Sequence, residues 1–448
     1  MNSTPSVCQF DPTIIPFQQQ VISDIRKNFD YSLGTHELML SGAVGSAKSL
    51  LMAHMAITHC MHFPGARFML GRRAMPDLRA TIFSKILEHM HPDLEEGNHY
   101  YINHTTATIK FRNKSEIISR SWADRHYFKL RSLELSGAAI EETTENEELD
   151  FYDEVKMRVG RLSHVPENFI IHATNPGSPS SPWYEYFFET KSPLRHVYLS
   201  TTADNPFLPK AYVEGLRREM CPKLARRMLH GEWIEIAQDV VYYAYDKSKN
   251  FIDKPYVIDH HYPIRISWDF NISHDKPMSV VLFQFINGTM HIFAEVIIEG
   301  MRTQDSCEEL ADRGFLDHGV EYIIHGDASG KNRDTRNIRS DYDIIKKYMA
   351  NRSGLKFRVD VPLANPPIRR RHNICNAHIC NDLGERRLFV YQGCNIVDKG
   401  LRLTALRPGG SYCEDDSKPW QHCTTAIGYG LIAALKELAR KPQATIIL

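Results

Sequence analysis

The sequence predicts an α/β protein of two units, the first on a doubly wound, mostly parallel sheet and the second on a mixed sheet. Three observations carry that expectation. A loop, Gly42-Ala43-Val44-Gly45-Ser46-Ala47-Lys48-Ser49, joins a short apolar run to a helical pattern. Strand-like and helix-like segments alternate through the first half, the order that builds a parallel sheet with crossover helices. The second half opens instead on strand candidates flanking Asn287-Gly288, a pair that tolerates the positive φ of a hairpin turn.

The 448 residues exceed the ~250–300 beyond which a single core stops growing. The expected division is 1–235 with a closing helical segment, a linker at 236–262 where aromatics, charges and prolines mix without period, and 263–448. A hydrophobic fraction of 42% and a charged fraction of 24% are those of a globular chain. No run approaches the ~18 apolar residues of a membrane span. The first residues lack a basic start followed by an apolar core, so no signal peptide is expected. Lys plus Arg equals Asp plus Glu at 54 each, which argues against a uniformly basic DNA-coating protein. Local runs remain, Arg369-Arg370-Arg371-His372 and Arg226-Arg227, readable as DNA contacts or as solvated helix faces. Nine cysteines without a C-x-x-C pair read as free thiols. His372, Cys375, His378 and Cys380 have the residue types of a zinc site but not the spacing of a standard finger.

In order, residues 37–40 form the first strand candidate and a helical pattern runs from 48 to about 62. Further strand candidates are 67–70, 115–121, 137–140 and 168–173, and 211–230 is helical apart from Pro222. In the second half, strands at 264–270, 278–286 and 289–298 precede a helix at about 303–315 and a strand at 322–326. That succession is the order of an RNase H-like sheet.

A loop that wraps a triphosphate must turn several backbone N–H groups inward, and Gly42 and Gly45 supply the needed dihedral freedom. The helix N-terminus adds partial positive charge. Lys48 would reach the β- and γ-phosphates, and Ser49 would bind Mg²⁺. Ala47 stands where glycine is usual, and alanine fits there provided φ is negative. The plainer reading is a Gly/Ser turn ahead of a helix. After the apolar 137–140, Glu141 would orient the metal's water shell and Glu142 would polarise the attacking water; the alternative is a solvated acidic loop. Thr174-Asn175-Pro176 ends a strand where the γ-phosphate of a doubly wound sheet would lie. It could sense hydrolysis, or be an Asn-Pro turn.

Asp269 stands inside an apolar strand between Trp268 and Phe270, where a carboxylate is costly without a partner. Asp327 follows the strand at 322–326. If those strands are neighbours, both acids meet at one edge and can hold two divalent ions, Mg²⁺ or Mn²⁺, ~3.5–4 Å apart. Asp275 could add a ligand from the loop. Alternatively Asp327 caps a turn and Asp269 pairs with a base. A third acid is expected near the C-terminus, but the helix beginning at His422 has none; Asp415 and Asp416 upstream either substitute or form a flexible loop.

Together these motifs resemble the large subunits of tailed-bacteriophage DNA-packaging terminases, over nearly the whole chain. Pro16-Phe17-Gln18 is similar to the family's adenine-contacting motif, which implies that Gln18 meets the base. Arg131-Ser132-Leu133-Glu134-Leu135-Ser136-Gly137-Ala138 resembles the Walker B approach, and Thr174-Asn175-Pro176 the coupling motif. Asp204-Asn205-Pro206-Phe207-Leu208 and Leu229-His230-Gly231-Glu232-Trp233 resemble the run that closes the ATPase half. Asp269 and Asp327 fall where the family keeps its first two nuclease acids. Arg158 and Arg161 are candidates to reach a neighbouring subunit's ATP. Thr425 departs from the pattern, standing where the family's His-x-x-Asp-Ala has its aspartate. Either Asp415 or Asp416 is then the third ligand, or the nuclease is weak or uses fewer.

The resemblance implies an ATP- and Mg²⁺-dependent motor ring docked on a portal protein at the procapsid vertex, in the host cytoplasm and away from membranes. It implies a small-terminase partner that selects viral double-stranded DNA, and a nuclease that cuts concatemers. One alternative is a helicase-like or recombination ATPase whose second half binds DNA without cutting; Asp269, the Asn-Gly hairpin and Asp327 favour the nuclease. Another is an assembly factor with a degenerate P-loop, against which Lys48, Ser49 and Glu142 count.

Overall fold

The computed structural model describes residues 11, 14–90, 94–123, 127–146, 148–235, 240–271, 276–300, 302–332, 339–407 and 412–440. The chain divides into two compact units, Met1–Val213 with Lys223–Ile236, and Glu214–Pro222 with Ala237–Leu448.

The first unit contains β1 (His36–Gly42), β2 (Arg67–Arg72), β3 (Tyr100–Asn103), β4 (Thr108–Phe111), β5 (Glu116–Ser121), β6 (Gly137–Glu141), β7 (Phe169–Thr174) and β8 (Arg195–Ser200). They form one eight-stranded sheet in the order β3-β4-β5-β2-β6-β7-β1-β8. Every pair is parallel except β3–β4 and β4–β5. A parallel sheet needs both faces covered, and period-two alternation supplies both cores. Leu38 and Leu40 enter one core with the helix Lys48–His62, while Met39 enters the other with Trp122, Tyr152 and Trp183. Because β7 lies between β6 and β1, the strand ends carrying Glu141, Thr174 and the loop after Gly42 stand side by side. Ligands of doubly wound sheets bind at this carboxyl edge.

The hairpin β3–β4 and the strand β8 have no counterpart in the sequence reading. The hairpin's strands are four residues each, too short for a periodic signal. The expected helix at 211–230 is two helices, Lys210–Glu219 and Pro222–Met228, because proline is tolerated in a first turn but not inside a helix.

The second unit contains β9 (Phe251–Ile252), β10 (Ile264–Asp269), β11 (Met278–Ile286), β12 (Thr289–Ile298), β13 (Tyr322–Gly326), β14 (Phe357–Val359) and β15 (Leu388–Tyr391). Their order is β14-β13-β10-β11-β12-β15-β9. β10, β11 and β12 pair antiparallel and the rest parallel, so the sheet is mixed. Asn287 and Gly288 turn the β11–β12 hairpin at φ of 49° and 81°. Val241 and Tyr242 are buried in this unit's core, and β9 pairs with β15, so residues 240–252, read as linker from sequence, carry structure of the second unit. The helix Pro419–Arg440 lies close on the sheet: Ser267 Oγ donates to Ala426 O at 2.7 Å, and a Cβ on Gly430 would come within 2.7 Å of the Phe283 ring.

Among the described residues every cysteine is a free thiol, no helix is long and apolar enough to cross a membrane, and no group of three or more His, Cys, Asp or Glu is arranged to hold a metal. The residues of the zinc-like cluster sit in the core: Cys375 is buried, His372 bonds Glu414 and Tyr412, and burial lowers the His378 pKa to about 4.

Candidate active sites

The loop after β1 turns tightly because two close approaches exclude side chains. A Cβ on Gly42 would lie 1.9 Å from Ser200 Oγ, and one on Gly45 would lie 2.9 Å from Leu208. Gly45 also takes φ of 76°. Ala47 does not take the negative φ expected of it. It is left-handed at φ 67°, because the chain must reverse there to start the helix Lys48–His62. Two runs downstream clamp the loop: Asn205 Nδ2 donates to Gly45 O at 2.6 Å, Thr202 Oγ1 to Val44 O at 2.7 Å, and Trp233 Nε1 to Ser41 Oγ at 2.8 Å.

The Lys48 ammonium is nearly buried and ringed by oxygens. It donates to Gly42 O and Ala43 O at 2.8 Å, to Ser46 Oγ at 3.3 Å and to Asn175 Oδ1 at 3.1 Å. Burial lowers its pKa to about 8 against the opposing pull of Glu142 and Glu141. Ser49 Oγ donates to Glu141 Oε1 at 2.9 Å, so two hard oxygen donors meet as a Mg²⁺ site requires. Glu142 turns out of β6 at φ 48°. Burial raises its pKa and the Lys48 charge opposes that rise. Thr174 Oγ1 lies 2.6 Å from Thr144 Oγ1, tying the end of β7 to the turn after Glu142. Gln18, fully buried, donates from Nε2 to Ala47 O at 3.0 Å, and its Oε1 has no partner among the described residues. Of the two arginine candidates, Arg158 pairs with Glu154 at 3.5 Å and Arg161 is exposed. The sequence reading missed Arg72 and Thr81, both of which touch Glu141.

In the second unit, Trp268 pairs with Gly326 across β10 and β13, so Asp269 and Asp327 follow one another at the same sheet edge. Asp327 N donates to Trp268 O at 3.0 Å. Asp269 is 6% exposed and accepts from His422 Nδ1 at 2.9 Å and from Asn271 Nδ2 at 3.0 Å. Burial raises its pKa, His422 opposes this, and the Asp327 charge adds to it. Asp327 accepts from Ser329 N at 2.6 Å and Asn365 Nδ2 at 2.7 Å. Asp341, at the start of the helix Asp341–Ala350, is a third acid close enough to interact with Asp327, and no strand-end pattern marks it in the sequence. The adjacent Asp269 and Asp327 fit a divalent cation by donor type.

Asp275 lies outside the described residues. Asp416, expected as a metal ligand, is ion-paired with both Lys276 and Arg407, and Asp415 caps Ser417 N at 3.1 Å. Two cations draw Asp416 because it is partly exposed and lies opposite basic side chains, which no sequence spacing reveals. Thr425 Oγ1 lies within hydrogen-bond reach of Gln421 Nε2 at 2.8 Å and of Arg371 at 3.4 Å. Arg371 is neither a DNA-facing nor a solvated residue: it is 3% exposed, ion-paired with Glu414, and its stem fills the space left by Gly428, where a Cβ would lie 2.5 Å away.

The two units thus describe a P-loop protein joined to a mixed-sheet domain with paired acids at its strand ends. Residues 35–232 match the family of phage terminase large subunits. Among solved structures, the large terminase of a thermophilic bacteriophage, in one crystal form, superposes with a TM-score of 0.55 at 15% identity, covering 94% of this chain and 98% of that one. The same phage's protein with ATP-γ-S gives 0.54 at 17% identity, and with ADP 0.54 at 16%, each covering 94% of this chain and 99% of that one. No curated protein matches the sequence. The chain carries the phage large-terminase signature over 35–232 and has the large-terminase fold over nearly its whole length.

Proposed function

We propose that this protein is a terminase large subunit that hydrolyses ATP to drive viral double-stranded DNA into a procapsid and cuts concatemeric DNA with its second unit. The observation that carries this reading is the setting of Lys48, which is bonded to the P-loop carbonyls and to Asn175 while the next residue, Ser49, bonds Glu141. Lys48 and the loop N–H groups would bind the β- and γ-phosphates, and Glu142 would take the proton of the attacking water. Ser49 and Glu141 would hold Mg²⁺, which supplies charge neutralisation at the phosphates. Asn175 and Thr174 would couple the γ-phosphate to the turn after Glu142. The free Oε1 of Gln18 suits a donor such as the adenine amino group.

In the second unit Asp269 and Asp327 would hold divalent Mg²⁺ or Mn²⁺, two ions in the full arrangement, whose chemistry is water activation and leaving-group stabilisation. His422 and Asn271 orient Asp269, and Asn365 orients Asp327. The proposal includes a ring of copies, a portal protein and a small terminase subunit as partners, in the host cytoplasm. A translocase that binds DNA without cutting is favoured by one observation, the Thr425 hydroxyl engaged by Arg371 with Asp416 tied to Lys276 and Arg407.

The test combines ATP hydrolysis with nicking of supercoiled plasmid in Mg²⁺ or Mn²⁺. Hydrolysis lost in Lys48→Ala, and nicking lost in both Asp269→Asn and Asp327→Asn, support the full reading. Lys48-dependent hydrolysis without nicking in either metal would put the translocase reading first.

A further inference from the structure

The end of β2 carries a guanidinium that the loop and strand motifs do not use. Arg72 is 13% exposed at its side chain and binds Glu145 through two nitrogens, Nη2 to Oε1 at 2.6 Å and Nε to Oε2 at 3.3 Å. Its third nitrogen, Nη1, reaches Glu141 Oε2 at 3.4 Å and Thr81 Oγ1 at 3.0 Å. Thr81 also bonds Glu141 Oε2 directly, and its hydroxyl has Asp77 O at 2.7 Å as a second acceptor. Thr81 is brought there by a π-helical turn, Arg79–Phe83, which interrupts the helical run between Met75 and His89. Such turns recur at functional sites because the extra residue re-aims a side chain.

This arrangement brackets Glu142. The acid before it, Glu141, and the acid three residues after it, Glu145, are both held by Arg72. Glu145 N also donates to Glu142 O at 2.9 Å. Between these anchors Glu142 has φ 48°, a conformation an L-residue keeps only when its surroundings impose it. With Oε2 of Glu141 held by Thr81 and Arg72, its other oxygen faces Ser49.

We propose that Arg72 and Thr81 are positioning residues of the ATPase site: Thr81 aims Glu141 toward Ser49, and Arg72 clamps Glu141 and Glu145 so that the backbone at Glu142 keeps its left-handed turn. The inference rests on the ATPase reading above. It is a claim about orientation, since neither residue would touch the nucleotide. Thr81 belongs to a helical segment that packs as core through Ile82, Phe83 and Ile86, and valine would keep its branched shape while removing the hydroxyl.

The test titrates Mg²⁺ against binding of a fluorescent ATP analogue to the full chain, alongside steady-state hydrolysis. Thr81→Val is expected to raise the half-saturating Mg²⁺ about tenfold, since it removes the hydroxyl that contacts Glu141 Oε2 together with its contacts to Arg72 and Asp77 O, with analogue affinity in EDTA unchanged. Thr81→Ser, which keeps the hydroxyl, should restore the parental titration. Arg72→Ala should lower kcat at least about tenfold with KM for ATP within about twofold. Arg72→Lys should recover only part, because an ammonium cannot reach both acids in the fork geometry. A Thr81→Val titration identical to the parent's, or an Arg72→Ala effect confined to KM, would overturn the inference. A parent that binds the analogue no better than Lys48→Ala would sink the ATPase reading and this inference with it. The parent's own titration separates that failure from the first.

Discussion

His422 Nδ1 lies 2.9 Å from Asp269 Oδ2, so the helix Pro419–Arg440 delivers an imidazole to the buried acid that ends β10. A carboxylate this buried needs a donor, and the ring supplies one in fixed geometry. His422→Ala should therefore leave the fold intact while lowering plasmid nicking by about tenfold or more, the weight of a hydrogen bond to a charged group. Nicking at the parental rate, with an unchanged circular-dichroism spectrum, would remove His422 from the site.

Ala47 holds a left-handed conformation at φ 67°. That conformation costs an L-residue roughly 1–2 kcal/mol and glycine almost nothing. Ala47→Gly should stabilise the first unit by about 1 kcal/mol after glycine's greater unfolded-state entropy is subtracted. The melting temperature should rise by roughly 2–4 °C, with ATP-analogue affinity equal or tighter. A variant that melts at or below the parent would show that the strain is relieved some other way.

Glu142 is half-buried at the turn after β6, and its charge and that of Lys48 act on one another. Replacing it with glutamine keeps the shape and removes the proton acceptor. Hydrolysis should fall by roughly 10²–10⁴-fold while the analogue still binds. Hydrolysis near the parental rate would transfer the base role to another residue.

Glu414 is the counter-ion of the buried Arg371. Burial alone would raise its carboxyl, but the His372 hydrogen bond and the Arg371 charge outweigh it and hold the pKa at about 2. A depressed acid stabilises the fold above its unfolded pKa, and that stability is lost as pH falls through the folded value. Glu414→Gln should cost about 3 kcal/mol at neutral pH, the scale of an unpaired buried charge. The gap between parent and variant should close as pH drops from about 4.5 toward 2. Urea melts at neutral pH and at pH 3 measure it; a gap that stays constant would mean that Glu414 is not the titrating partner.

What was legible in the sequence was local. A strand, a glycine-bearing turn and a helix beginning Lys48-Ser49 are contiguous, so their geometry follows from a dozen residues and their dihedral needs. Asn287-Gly288 specifies a hairpin in the same way. Asp269 stood out because a lone acid in an apolar strand demands a partner. Even so, Ala47 took the opposite sign of φ from the one expected, since the turn, not the side chain, sets the backbone there.

The two-unit α/β layout, the P-loop and the strand-borne acids were readable along the chain because periodicity and turn chemistry act over neighbouring residues. Which distant groups meet them was set by folding. The fold put His422 on Asp269 across 153 positions and Asn175 on Lys48 across 127. It buried Arg371 on Glu414 beside Thr425, drew Asp416 to Lys276 and Arg407, and set Arg72 and Thr81 around Glu141. Strand order and helix packing fix those meetings, and neither is encoded in the spacing of the residues that meet.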